Sequence, residues 1–182
     1  GQTGAINLAA DSTIDTSGVW TNDRPAHSNQ QDVMDYSPLH RDGGSVLIKA
    51  EGDVNVGVGS LIDVSGGAER LASGTIIAGD AGKISLVAAA VDGSDLSIGG
   101  ELAGYAIAGG KGGTLSLTSD QVIIGQSPNS DVGNNAKPLT LGPNFFTQGG
   151  FEHYQIGSNK TGISVVDNAK IQLSVQNRRL DE

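Results

Sequence analysis

Two aspartates hold equivalent places in a repeated seven-residue string, and theirs is the first spacing in this sequence that could do chemistry. Ser12-Thr13-Ile14-Asp15-Thr16-Ser17-Gly18 matches Ser60-Leu61-Ile62-Asp63-Val64-Ser65-Gly66 at five of seven positions. If the two strings lie on neighbouring strands, their backbones are about 4.8 Å apart. That brings two carboxylates near the separation of roughly 5 to 5.5 Å used by retaining glycosidases. A shared cation is a second use for such a pair, because hard cations take carboxylate oxygens. The third use is structural. Each aspartate leads into a Ser-Gly corner, where an Asp side chain accepts backbone N–H bonds, and this is the expected role of Asp15 and Asp63.

Three other constellations compete with that pair. The polar segment 20–42 holds Trp20, Arg24, His27, Tyr36, His40 and Arg41, an aromatic and basic set able to stack on a sugar or a peptide. On a plainer reading, Trp20 and Tyr36 pin the segment to its neighbours. Any ligand contact made by the chain is expected here, since recognition favours such residues on loops held by a rigid scaffold. His27 and His40 would need a carboxylate to hold a metal, and their spacing matches no metal signature. A second cluster, Phe145, Phe146, Phe151 and Tyr154, contains more than half of the aromatic residues and is expected to staple a loop or cover the end of a stack. The third is the polar face of the alternating runs, which reads Asn7, Leu47, Lys49, Ser85 and Ser116. It offers no carboxylate for acid–base work on a sugar. No catalytic residue, cofactor or metal is expected, and the rival reading is a polysaccharide-degrading lyase or hydrolase using Asp15 and Asp63.

The elements that would position these groups are short strands. Residues 43–67 hold three alternating runs, Val46 to Ala50, Val54 to Val58 and Ile62 to Val64, divided by glycine or small polar residues. Period-two alternation marks strands with one buried face. Connections this short leave no room for crossover helices, so three strands are expected on three sides of one turn of a coil. Gly4-Ala5-Ile6-Asn7-Leu8, Gly44 to Ile48, Gly82 to Leu86 and Gly113 to Leu117 share a pattern of glycine, any residue, apolar, mostly polar, apolar. Such self-similarity signals units that bury their apolar faces only by stacking. The fold class that follows is all-β, a right-handed parallel β-helix with corner loops of variable length. Its inward columns are expected to be Ile6, Val46, Ile84 and Leu115 on one side and Ile14 with Ile62 on another.

Composition agrees with a narrow interior. Aromatics are 4% of the chain and glycine reaches 28 residues, which suits small apolar fillers with glycine at tight corners. A net charge of -9 argues against nucleic acid or an anionic membrane surface as partner. The absence of cysteine removes disulfides and thiol chemistry. No apolar run approaches the roughly 20 residues of a membrane span, so no membrane insertion is expected, and neither is a signal peptide. The opening at Gly1, already in strand pattern, is read as an internal fragment of something longer. Glycine pairs such as Gly43-Gly44 and Gly66-Gly67 are not followed by Lys-Ser/Thr and are read as corners rather than phosphate loops. The expected organisation is one domain over 1–182, with a surface excursion at 20–42, a smaller one at 68–79, a loop at 126–138, terminal turns with the aromatic cluster at 139–175, where Ile171 to Val175 return to strand alternation, and a charged tail from Arg178 that frays.

The strings IDTSGVW with Asn22-Asp23, GGSVLIKAEGDVNVGVGSLIDVSGG and FFTQGGFEHYQIGSNKTGISVVDNAKI resemble segments of the large filamentous-haemagglutinin-type exoproteins of Gram-negative bacteria, over nearly the whole chain. The resemblance implies a right-handed parallel β-helix, two-partner secretion through an outer-membrane transporter, and service as the shaft of an adhesin or toxin-delivery filament at the cell surface. Its partners would be a receptor on a host or neighbouring cell, or a biofilm polysaccharide, met by a monomeric shaft. The Asn-Pro-Asn motif of the family's secretion domain is missing, Ser127-Pro128-Asn129 being a poor match, which places the chain in the body of such a filament.

Overall fold

The computed structural model describes residues 4–22, 41–89, 94–125 and 137–178. The protein is all-β: among these residues the one helix is a 3-10 turn, Phe145–Thr147. The first repeat supplies β1 (Ile6–Leu8), β2 (Thr13–Asp15) and β3 (Trp20–Asn22). The second supplies β4 (Ser45–Ala50), β5 (Val54–Val56), β6 (Leu61–Asp63) and β7 (Ala68–Arg70), followed by β8 (Ile76–Ala78). The third supplies β9 (Lys83–Ala88), β10 (Leu96–Ile98) and β11 (Glu101–Ala103). Then come β12 (Gly113–Ile124), β13 (Leu139–Leu141) and β14 (Phe151–Val165). Most of these strands are only three residues long because glycine and small polar residues interrupt the alternation.

Apart from the β7–β8 pair, strands of successive repeats pair with one another rather than within a repeat. Parallel sheets form in the orders β1-β5-β10, β11-β6-β2 and β13-β12-β9-β4, with β14 added beside β12. The register aligns like with like, so that Val46, Ile84, Leu115 and Tyr154 are neighbours, as are Ile14, Ile62 and Leu102. The inner positions of these columns are closed to water: Ile62, Ile84, Leu86, Leu115 and Leu117 are all under 2% exposed. Burying each such side chain contributes about 1.5 to 3 kcal/mol.

Aspartates tie the repeats together at the bends. Asp42 Oδ1 accepts the Asp80 N–H at 2.8 Å, and Asp80 Oδ1 in turn accepts the Lys111 N–H at 2.9 Å. Asp53 Oδ1 accepts the Asp95 N–H at 2.9 Å, and Asp95 Oδ2 accepts the Lys137 N–H at 3.3 Å. Glycines stand where backbones of neighbouring repeats come too close for a side chain. A Cβ on Gly82 would collide with the Gly44 carbonyl, and one on Gly18 or Gly79 with the Arg41 carbonyl.

Four expectations are corrected by this topology. Ile6 does not join the Val46 column. It pairs with Val54 and Leu96 in another sheet, because Ile6-Asn7-Leu8 imitates Val54-Asn55-Val56, and the Asn55 side-chain amide donates to Asn7 Oδ1 at 2.8 Å. The strands are not all parallel: β8 folds back antiparallel on β7, so residues 68–79 contain a hairpin. The excursion from residue 20 begins as a strand, since β3 pairs in parallel with β7 through backbone bonds that need no apolar alternation. Ile171 to Val175, expected to be a strand by alternation, form none, and Ile171, Leu173 and Val175 are exposed.

Candidate functional site

Asp15 and Asp63 are register partners on β2 and β6. Each closes a turn in its own chain. Asp15 Oδ1 accepts the Ser17 N–H at 2.8 Å, and Asp63 Oδ1 accepts the Ser65 N–H at 2.7 Å. Hydrogen bonding from the Ser17 hydroxyl and then from its N–H holds the Asp15 carboxyl below the usual carboxylate value, with a further contribution from Arg178. A carboxylate so engaged is stabilised as the anion and is poorly suited to donate a proton.

Arg178 was expected to belong to a fraying tail, yet it is anchored at three points. Its N–H donates to the Ala106 carbonyl at 2.9 Å, Nη2 lies 3.2 Å from Asp63 Oδ2, and the guanidinium carbon sits 5.1 Å from the centre of the Tyr105 ring. The attraction of an Arg for a carboxylate beside an aromatic face explains why the chain returns to this sheet. Sequence reasoning missed it because Asp63 and Arg178 are 115 residues apart.

The aromatic cluster is part of the core. Phe146 and Phe151 are buried and Phe145 and Tyr154 partly so, with ring centres 5.1 to 6.3 Å apart. Gly104, Gly113 and Gly149 surround the Phe151 ring, where a Cβ on Gly104 would stand 2.5 Å from its Cε1. Burial pushes the Tyr154 phenol up to about 12, and its hydroxyl donates to the Gln148 carbonyl at 3.3 Å.

Trp20 and Arg41 lie on the flank formed by β3, β7 and β8. Trp20 remains 45% exposed, so its ring is available to a partner. The Arg41 guanidinium is committed to Glu69 at 2.6 Å. On the same flank Thr21 Oγ1 and Arg70 Nε are buried without a hydrogen-bond partner among the described residues. Arg24, His27, Tyr36 and His40 lie outside the described residues, and so do residues 126–136 of the expected loop.

A cleft of about 1860 Å³ opens beside β10 and β11 and extends under β13 and the 3-10 turn. Leu96, Leu102, Leu115 and Leu139 line it, all under 9% exposed. Asp53, Asp95, Glu101 and Lys137 are its charged residues. Burial raises the Asp95 carboxyl above its usual value against the Lys137 N–H bond, and the charges of Asp53 and Asp120 push the same way. Asp120 is 6% exposed and its Oδ1 has no partner among the described residues. No group of three His, Asp or Glu side chains among the described residues is placed to hold a metal ion. Sequence reasoning missed this cleft because its lining comes from repeats far apart in the chain, with no local motif to mark it.

No protein-family model, curated protein or solved structure matches this chain.

Proposed function

We propose that the chain is a structural and binding segment, a right-handed parallel β-helix forming part of the shaft of a secreted, cell-surface adhesin or toxin-delivery exoprotein of a Gram-negative bacterium. Such a parent would reach the surface through an outer-membrane transporter and meet a host cell, a neighbouring cell or a biofilm polysaccharide. The observation that carries this reading is the register. Strands of successive repeats pair in parallel, apolar column on apolar column, and each repeat is joined to the next through backbone amides. A stack built this way lengthens by adding repeats without redesigning its interior, which is what a shaft requires. Trp20, exposed on the flank where segment 20–42 begins, gives that segment an anchor for a partner.

Solution X-ray scattering of this chain and of a tandem duplicate tests the shaft. The duplicate is expected to be longer along one axis with an unchanged cross-section, and a thicker or two-lobed particle would defeat the reading. Replacing residues 23–40 by a short Gly-Ser linker tests the contact segment. Binding to cells is expected to fall while melting changes little, because β3 and the Arg41–Glu69 pair are retained. Unchanged binding would remove the segment from the contact surface.

A further inference from the structure

We propose that the cleft beside β10 and β11 binds a neutral oligosaccharide chain. The proposal rests on the reading of the protein as a surface segment and names the ligand for one part of it. Size comes first: about 1860 Å³ exceeds the roughly 300 to 1,000 Å³ of small-molecule pockets, so the site suits a linear chain rather than a single ring.

The chemistry of the walls comes second. Ser97, Asn144, Gln148 and Gln176 line the cleft, supplying amides and a hydroxyl that both donate and accept. A sugar hydroxyl asks for that pairing. Phe145 lines it too, a partly buried ring that offers apolar surface to the C–H face of a pyranose.

Charge decides the class of glycan. Asp53, Asp95 and Glu101 face a single cation, Lys137, on a protein of net charge -9. Uronate and sulfated chains would add like charge to a low-dielectric cleft, so a neutral chain is preferred. A peptide strand is a poorer fit. β10 and β11 each end a sheet and so offer an open edge, but each is three residues long, and Gly99-Gly100 separates them. Strand addition needs a longer straight ladder than these provide.

Titration calorimetry of the chain against cellohexaose and chitohexaose, with a heparin hexasaccharide and an alternating Thr-Lys hexapeptide as contrasts, tests the proposal. At least one neutral hexaose is expected to bind. Asn144→Ala and Glu101→Ala, both at exposed positions, are each expected to weaken it by about fivefold, the effect of one lost hydrogen bond, with unchanged melting. Amide shifts on adding the bound hexaose should gather at Ser97, Thr140 and Gln148. The proposal is overturned by no heat from either neutral hexaose, by equal affinity in both variants, by shifts gathered elsewhere, or by tighter binding of heparin or the peptide. Cell binding that persists while neither hexaose binds would sink the cleft and leave the surface-segment reading standing. Scattering that shows no lengthening of the duplicate would sink that reading whatever the cleft binds.

Discussion

Asp15 and Asp63 stand opposite each other on adjacent parallel strands, and each turns one carboxylate oxygen onto the N–H two residues ahead. They differ in what the second oxygen meets, since only Asp63 has Arg178 at 3.2 Å. Asp63→Ala is expected to cost about 1 kcal/mol for the turn bond, and Arg178 is expected to couple to it by no more than about 1 kcal/mol, as for other partly exposed pairs. Chemical denaturation of Asp63→Ala, Arg178→Ala and the double variant gives both values. Polysaccharide turnover that vanished in Asp63→Asn would instead make the pair catalytic.

The Asp15 carboxyl is held below its ordinary value of 3.8, so its contribution is present above that pH and is lost as pH falls through the lower folded value. Asp15→Asn should therefore be less stable than the parent at neutral pH, by a small amount because the group is exposed to solvent. The difference should close in strong acid. Melting across an acid series measures it, and a deficit that persists at the lowest pH would contradict the assignment.

Asp95 works in the opposite direction. Burial raises its carboxyl above 3.8, so keeping it ionised costs stability at neutral pH, and the cost is relieved as pH falls through the raised value. Asp95→Asn keeps an oxygen for the Lys137 N–H and removes the charge. It is expected to equal or exceed the parent in stability at neutral pH and to lose that advantage below about pH 4. A marked loss of stability at neutral pH would show that the anion itself is needed.

Tyr154 sets the alkaline limit. Its phenol titrates at about 12 in the folded chain against 10.0 ordinarily, so the folded state keeps a proton that the unfolded state releases, and stability falls as pH rises between those values. Tyr154→Phe should lack this part of the alkaline loss. Denaturation at high pH checks it, and identical profiles for the two proteins would count against burial as the cause.

Ile84 lies at the centre of its column with no exposure, whereas Ile6 is 39% exposed on an outer strand. Ile84→Ala is expected to cost about 2 to 5 kcal/mol and Ile6→Ala well under half of that. Gly104→Ala should cost about 1 to 3 kcal/mol by overpacking Phe151. A denaturation series ranks all three, and a larger loss at Ile6 than at Ile84 would contradict the register.

The apolar columns were legible in the sequence because alternation and Ser-x-Ile-Asp-x-Ser-Gly recur in neighbouring repeats, and these put Ile14 beside Ile62 and Val46 beside Ile84. The assignment of Ile6 was not, because glycine-apolar-polar-apolar fits more than one strand of a repeat. The middle residue carried the missing information: Asn7 pairs with Asn55, and an Asn between two apolar residues occurs in both strings. Alternation misled at Ile171 to Val175, where no strand among the described residues covers the apolar side chains. The cleft was illegible for a different reason. Asn55, Glu101, Asn144 and Gln176 come from four separate stretches, and each alone is an ordinary surface residue.

The bonds from Asp42 to the Asp80 amide and from Asp80 to the Lys111 amide are latches that do not read the identity of what they hold. The donor is a peptide N–H, and one donor belongs to an acid and the other to a base. Each joint asks only for an aspartate acceptor, so Lys111 at the end of the series is held whatever its side chain, whereas Asp80 is fixed because its own carboxylate makes the next joint. Repeats bearing such a latch are fastened to their neighbours by the same bond, whatever residue supplies the N–H.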